Sequence, residues 1–280
     1  HVRLSRQLLP DADIRVLRFR LDREISPHAS GALSTIDEVS AFEPECVIIA
    51  SPAPWHVEHA KRILRKNMNL LIEKPLSDSA NKAVELLRFS EMPILVGYNL
   101  RLSASLQYFR KLVHERLVGN ILTVRCEVGQ YLPSWRSDTP VADSVSVSRS
   151  LGGGVLLELS HEIDYLTWIF GEALSVNASL LQQTNLVNDV EDFANLLITC
   201  DCKFALKPLP ISLQMDMYRH DFTRYCLAIC EDGSLKWNGL SGKVELLRRG
   251  NRQPEILFAE STPHENTYLA QLGVLFGNIK

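Results

Sequence analysis

The hydrophobic pattern of the first hundred residues alternates between two periods. Four short apolar runs predict strands: 14–20, 46–50, 69–73 and 93–98. Three segments with helical spacing separate them: 34–42, 54–67 and 77–90. Ser34 or Thr35 is suited to cap the first of these helices. Strands that alternate with helices of this length predict βαβ units and a parallel sheet.

After about residue 100 the pattern changes. A helix is predicted over 103–117, a strand over 120–132, and a second helix from the glycine run at 152–154 to about Phe170. Six further strand candidates follow: 173–182, 192–200, 203–217, 224–230, 234–238 and 242–248. Runs of strands with short connections predict an antiparallel sheet. We therefore expect a Rossmann-type α/β domain over 1–98 and an α+β domain with an open, mainly antiparallel sheet over 99–280.

Composition narrows the class of protein. Hydrophobic residues make up 46% of the 280 residues and charged residues 22%, which is typical of a globular protein with sizeable cores. A formal net charge of -3 gives no reason to expect nucleic acid or an anionic membrane as a partner. None of the six cysteines forms a CxxC pair, and only Cys200 and Cys202 lie close in sequence, so free thiols in a reducing cytoplasm are favoured over zinc ligands.

The chain shows no G-x-G-x-x-G motif in its parallel half, where a dinucleotide-binding domain carries one. It opens with a helical pattern and no strand before it, so we expect the first strand and its glycine loop to precede His1. The glycine run at 152–154 comes after the parallel half has ended. We interpret it as a place where backbone approaches the substrate and nicotinamide closely, and not as a phosphate loop.

Two side chains have the chemistry of a proton relay. Lys74 follows a predicted central strand, at the edge where open α/β sheets bind ligands, although a surface lysine fits the same position. Glu158, His161 and Asp164 follow one another at i, i+3 and i+6, so one helix would place a carboxylate beside an imidazole. A structural histidine or a metal site from the same three side chains remain the alternatives.

Three motifs in this order resemble the glucose–fructose oxidoreductase / inositol dehydrogenase (Gfo/Idh/MocA) family. They are Ser51-Pro52 with His56, then Glu73-Lys74-Pro75, then the run from Gly152 to Tyr165. The stretches 96–101 and 224–238 are similar to the family as well, so the resemblance covers nearly the whole chain. Glu158 stands where the family has an aspartate, one residue closer to the histidine.

The resemblance implies an NAD(P)-dependent oxidoreductase. It would transfer a hydride between a nicotinamide and a sugar or sugar-derived carbinol, in carbohydrate or surface-glycan metabolism. Lys74 and His161 would serve proton transfer, with Glu158 or Asp164 orienting His161. A non-catalytic sugar or nucleotide sensor on the same scaffold is the alternative, and a hydrolase or lyase that uses bound NAD transiently is a third. The outer face of the second-domain sheet would form a homo-oligomer, a dimer or tetramer.

Further residues are candidates for binding. The cofactor set is Arg18, Ser51, Pro52, His56, Glu73, Lys74, Pro75 and Asn99. Arg18 and Arg20 end a strand where an NAD enzyme has an acidic residue, which favours NADP slightly, although arginines facing solvent fit as well. The substrate set is Tyr98, Arg101, Tyr131, Trp135, Arg136 and His161. Weaker candidates lie in one later stretch: Tyr218, Arg219, His220 and Arg224.

Overall fold

The computed structural model describes residues 1–18, 24–64, 68–89, 94–135, 140–260 and 263–277. The chain forms two compact units, His1–Asn99 with Glu265–Lys280, and Leu100–His264. The sequence-based division placed 99–280 in one domain, whereas the C-terminal segment belongs to the first unit. Across the described ranges, every helix is too short or too polar to cross a bilayer.

The first unit contains short parallel strands and helices. They are α1 (Val2–Leu8), β1 (Arg15–Leu17), β2 (Gly31–Leu33), α2 (Ile36–Phe42), β3 (Cys46–Ile49), α3 (His56–Ile63), β4 (Asn69–Ile72), α4 (Ala80–Phe89) and β5 (Ile94–Val96). β1 and β2 form a two-stranded parallel sheet, and β3, β4 and β5 form a three-stranded parallel sheet in that order. The predicted parallel architecture is confirmed. β2 was not predicted, because three residues carry too little periodicity.

The second unit is dominated by one sheet. Its elements are α5 (Ala104–His114), β6 (Ile121–Gly129), α6 (Val155–Glu158), α7 (His161–Phe170), β7 (Ala173–Leu181), β8 (Phe193–Cys200), β9 (Leu209–Asp216), β10 (Thr223–Cys230), β11 (Gly233–Asn238), β12 (Lys243–Arg248) and β13 (Glu255–Ala259). The eight strands lie in the order β13-β12-β11-β10-β6-β9-β8-β7 and are antiparallel except for β6 and β9. The predicted open, mainly antiparallel sheet is confirmed. The last helix, α8 (Pro263–Phe276), belongs to the first unit.

The central strand of the first unit is buried on both faces. Leu70 and Ile72 join an apolar cluster with residues of α2 and α3. Leu71, which points to the opposite face, packs with Leu272 and Leu275 of α8. A parallel strand needs cover on both faces, and here α8 supplies part of the second cover. This packing explains why the C-terminal segment falls in the first unit.

Candidate active site

The turn after β4 holds the Glu73-Lys74-Pro75 motif. Glu73 N donates to Ile49 O over 2.9 Å, which ties the turn to the end of β3. The Glu73 carboxylate accepts a hydrogen bond from Lys74 N (3.1 Å), and the Lys74 side chain is half-buried. A Cβ at Gly97 would lie 2.6 Å from Glu73 Oε2 and 3.0 Å from Glu73 Cα, so glycine lets the next strand end pack closely on this turn. The motif is a packed turn at the carboxyl edge of the sheet, where open α/β sheets bind ligands.

His56 connects two turns of this edge. Its ring is 1% exposed, with Nδ1 at 2.9 Å from Pro75 O and Nε2 at 2.6 Å from Ser51 O. The imidazole thus fixes the backbone after β3, including Ser51 and Pro52, against the backbone after β4. Because the ring is enclosed by protein, His56 is a positioning residue for this edge and not a side chain that a ligand would touch.

The remaining candidates of the first unit differ in exposure. Asn99 is 5% exposed, and its Nδ2 donates to Thr267 Oγ1 over 2.9 Å, so this amide holds α8. Tyr98 and Arg18 are half-buried, and Arg18 N donates to Leu33 O over 3.1 Å. β1 ends at Leu17, so Arg18 lies directly after the strand and not within it, whereas Arg20 lies outside the described residues.

The glycine run forms a tight junction within the second unit. A Cβ at Gly153 would lie 2.6 Å from the carbonyl oxygens of both Val145 and Ser146. Gly154 has φ +104, and a Cβ there would lie 2.6 Å from Glu191 Oε1. The close approach that these glycines permit is therefore to the protein's own backbone and to the Glu191 carboxylate. This packing accounts for both glycines without any ligand. Their close approach to substrate and nicotinamide stays a prediction.

The prediction of a single helix after the glycine run is wrong, because the helix is interrupted at Leu159. α6 ends at Glu158 and α7 begins at His161, with Leu159 at φ -100 and ψ 28 between them. The i, i+3, i+6 face therefore does not extend to Glu158, whose Oε1 accepts a hydrogen bond from Ser146 Oγ over 2.9 Å. His161 and Asp164 remain one turn apart on α7, and His161 Nδ1 is buried.

Asp164 forms a bidentate ion pair with Arg101. Arg101 Nε lies 2.8 Å from Asp164 Oδ2, and Nη2 lies 2.7 Å from Oδ1. Burial raises the pKa of the Asp164 carboxyl, and the Arg101 guanidinium offsets part of that rise. The sequence predicts separate roles for them, with Asp164 orienting His161 and Arg101 contacting the substrate. The structure joins them, so Arg101 also restrains the first turn of α7.

A second ion pair at α7 was missed by the sequence analysis. Glu162 is 0% exposed, and its Oε1 lies 2.8 Å from Arg224 Nε. Next to it, Tyr165 OH and Cys126 Sγ are 2.9 Å apart, and burial raises the pKa of both groups well above their usual range. One signal was available: Glu162 falls on the same helical face as the apolar residues of α7 that pack inward.

The candidate substrate contacts of the second unit lie near the ends of β6 and β9. The rings of Tyr131 and His220 are 4.3 Å apart between centroids and tilted by 38°. Trp135 Nε1 donates to Gln130 O over 3.3 Å. Arg219 bridges two carboxylates, that of Asp216 at 3.1 Å and that of Glu127. Tyr218 stacks on Phe193, Arg224 forms the pair with Glu162, and Arg136 lies outside the described residues.

Metal chemistry finds no support among the residues described. Within those ranges, no three His, Cys, Asp or Glu side chains are grouped so that they could hold a metal ion. All six cysteines are free thiols, as the sequence indicated.

Two sequence models of one family match the chain. The oxidoreductase family model with an NAD-binding Rossmann fold (GFO/IDH/MocA) matches residues 18–93, and the GFO/IDH/MocA C-terminal domain model matches residues 106–235. The chain belongs to the GFO/IDH/MocA family. The first matched range contains Lys74, and the second contains His161.

The individual relatives and the solved structure have low sequence identity to this chain. Rhizopine catabolism protein MocA of Rhizobium meliloti is 29% identical over 140 residues, which cover 49% of this chain and 41% of that protein. The scyllo-inositol 2-dehydrogenase (NADP(+)) of Bacillus subtilis strain 168 is 26% identical over 224 residues, 75% of this chain and 56% of that protein. The chain thus spans about half the length of these curated relatives. A solved levoglucosan dehydrogenase in complex with NADH and levoglucosan has a similar fold, with a TM-score of 0.77 at 16% identity over 99% of this chain and 86% of that chain.

Proposed function

We propose that the protein is an NAD(P)-dependent oxidoreductase that transfers a hydride between a nicotinamide cofactor and a CH–OH group of a sugar or sugar-derived compound. Membership of the family supports the reaction class, and relatives named as inositol and levoglucosan dehydrogenases support the substrate class. The observation that carries the proposal is the position of Lys74, half-buried in a turn that His56 and the end of β3 hold rigid.

The carboxyl ends of β1, β3 and β4 fit a dinucleotide by their donor chemistry. Arg18 offers a guanidinium, Ser51 a hydroxyl and Lys74 an ammonium group, and all three side chains are half-buried. When bound, the nicotinamide supplies the acceptor or donor of the hydride. We favour NADP over NAD, because a guanidinium at the end of β1 suits a 2′-phosphate better than a 2′-hydroxyl.

His161 is the proton-transfer group in this proposal. Oxidation of a carbinol requires a base for the hydroxyl proton, and a histidine is suited to that role near neutral pH. The ion pair between Asp164 and Arg101 holds the turn of α7 that carries the imidazole. Lys74 is assigned a hydrogen bond to a substrate oxygen, where its positive charge stabilises developing negative charge.

Substrate binding is assigned to polar and aromatic groups. Tyr131, with its ring against His220, offers an apolar face and a hydroxyl, a combination that suits a sugar ring. Tyr98 and Trp135 extend this set as part of the same proposal, together with Arg136.

We also propose a homo-oligomer, a dimer or tetramer, that forms through the sheet of the second unit. All nine residues of the edge strand β7 are exposed, among them Val176 (51%) and Leu180 (45%). Their partners in the neighbouring strand, Ile198 and Ala194, are buried, so these side chains lie on the core side of the sheet. A second copy would cover them. Sedimentation of Val176→Glu tests this strip, and Leu197→Glu tests the outer face.

A hydride-transfer assay on the full-length protein tests the enzymatic proposal. The absorbance of the reduced nicotinamide is followed with NAD and NADP across sugars, inositols, anhydro sugars and nucleotide sugars. His161→Ala and Lys74→Ala are expected to lower kcat by about 10²–10⁴-fold. The matched variants His28→Ala and Lys82→Ala, which change residues outside the site, should leave the rate unchanged. Turnover that survives both site substitutions contradicts the assigned roles.

The same assay separates the enzyme from a sensor on the same scaffold. A sensor would bind both cofactor and sugar without any change in nicotinamide absorbance, whatever the sugar. We place the protein in the cytoplasm as part of the proposal, and six cysteines held as free thiols support that placement.

A further inference from the structure

Trp55 presents an aromatic surface at the ligand-binding edge of the first unit. It ends the 3₁₀ helix Ala53–Trp55, which follows β3, and its side chain is 52% exposed. Its neighbour along the chain, His56, is 1% exposed. An indole gains free energy when its apolar surface is covered, so half of that gain is still available to a ligand.

One neighbouring side chain, that of His59, lies beside the indole, and Ser51 holds His59 in turn. Ser51 Oγ and His59 Nδ1 lie 3.1 Å apart, which fixes the imidazole of His59. That imidazole lies nearly parallel to Trp55, with 6.4 Å between ring centroids and 18° between planes. Ser51 is itself tied through its carbonyl oxygen to His56. The aromatic surface therefore has a fixed imidazole beside it, and such ordering before a ligand arrives lowers the entropy cost of binding.

The neighbouring strand end lies where open dinucleotide-binding sheets hold the adenosine half. Leu17, the last residue of β1, packs against the apolar cluster that contains Ile49 of β3 and Val57 of α3. The ends of β1 and β3 therefore border the same cluster, and Arg18 follows directly on Leu17. In open dinucleotide-binding sheets, the residue at that position contacts the 2′ group of the adenosine ribose.

We propose that Trp55 stacks on the adenine ring of the dinucleotide, while Arg18 contacts the 2′ position of the adjoining ribose. A flat neutral ring is what an indole stacks on, and base–aromatic stacking is a recognised source of affinity. The inference rests on the proposed function, since it assigns a part of the proposed cofactor site. It assigns to Trp55 a contact that the sequence motif alone does not indicate.

Binding measurements on the full-length protein test this contact without turnover. NADPH affinity is measured by calorimetry for wild type, Trp55→Leu and Trp55→Phe, and tryptophan fluorescence is titrated with adenosine 2′,5′-bisphosphate and with nicotinamide mononucleotide. Trp55→Leu should raise the Kd for NADPH about tenfold, which is about 1.4 kcal/mol. Trp55→Phe keeps a ring, so it should retain most of the affinity but lose the quenching. Trp168→Phe, a change in the second unit, should retain both.

The outcomes separate the two proposals. Quenching by the adenosine compound that disappears in Trp55→Phe supports the stack. An unchanged Kd in Trp55→Leu, or quenching by nicotinamide mononucleotide alone, overturns the stack and leaves the oxidoreductase proposal standing. Wild-type protein that binds neither NADPH nor NADH overturns both.

Discussion

Removal of Arg224 should destabilise the second unit more than any ordinary surface substitution. The guanidinium Nε lies 2.8 Å from Glu162 Oε1, and the two side chains are 11% and 0% exposed. At that distance, an effective dielectric constant of about 20 gives an attraction of about 6 kcal/mol. Desolvation of both ions offsets much of it, and loss of one partner from such a buried pair costs about 3–5 kcal/mol. We expect a loss in this range for Arg224→Met.

The assay is urea unfolding, with the second unit followed by its own tryptophans. In a Trp55→Phe background, the three remaining tryptophans of this chain all lie in the second unit, so their fluorescence reports that unit. Glu162→Gln and the double variant complete a cycle with Arg224→Met. Arg249→Met is the matched control, because its contact with Asp232 is long (3.8 Å) and both side chains are exposed (81% and 65%).

The cycle has clear outcomes. If the pair stabilises as a unit, the double variant should be more stable than the sum of the single losses predicts, because it leaves no buried charge unpaired. A loss below about 1 kcal/mol for Arg224→Met, equal to that of the surface control, would refute the reasoning. Additive single effects would likewise show that Glu162 and Arg224 do not interact across the core.

Three further predictions concern single sites. Asp164 has a raised pKa in the folded protein, whereas in the unfolded chain its pKa has the ordinary value of 3.8. The folded protein therefore holds this proton to higher pH, and the contribution of Asp164 to stability falls as pH rises above 3.8. Arg101→Met should widen this fall, and Asp164→Asn should remove it, as measured by urea unfolding across pH. Gly153→Ala should destabilise the protein, because its Cβ would clash with two carbonyl oxygens. Gly273→Ala in α8, where a Cβ would meet nothing within 4 Å, should stabilise it by about 0.5–1 kcal/mol. Thermal melts compare the two variants. Burial raises the pKa of Cys46 to about 12, so a disulfide reagent should label it at neutral pH only on unfolding, and labelling at the rate of a free thiol would contradict that.

Local patterns in the sequence were sufficient for the strand ends of the first unit. Lys74 could be placed because a continuous apolar run followed by a proline marks where a buried parallel strand stops. The same logic located Ser51, which precedes Pro52, whereas the strand predicted over 14–20 extended past Leu17, where β1 ends. It failed for the C-terminal segment, because the pattern of α8 shows that the helix is apolar but not which sheet it covers. Leu272 lies against Leu71, and no local signal records a contact so distant in sequence.

The helix break at Leu159 shows the same limit at shorter range. The apolar period from Val155 to Phe170 is continuous, so it predicts one helix. The glycine junction fixes the start of α6 against residues 145 and 146, and the ion pairs fix α7, so the two short helices satisfy separate restraints. Periodicity shows which residues face inward. It does not show a turn between two helical segments that both face inward.

Two ion pairs hold the first turn of α7, which carries His161. Glu162 and Asp164 both lie in the first turn, where carboxylates also stabilise the helix N-terminus through its dipole. Each is held by an arginine from a different element: Arg224 comes from β10, and Arg101 from the turn before α5. Ion pairs from two different elements restrain the first turn of α7, and with it the backbone that carries His161. Loss of either arginine should therefore affect kcat through the position of His161, even where the protein stays folded.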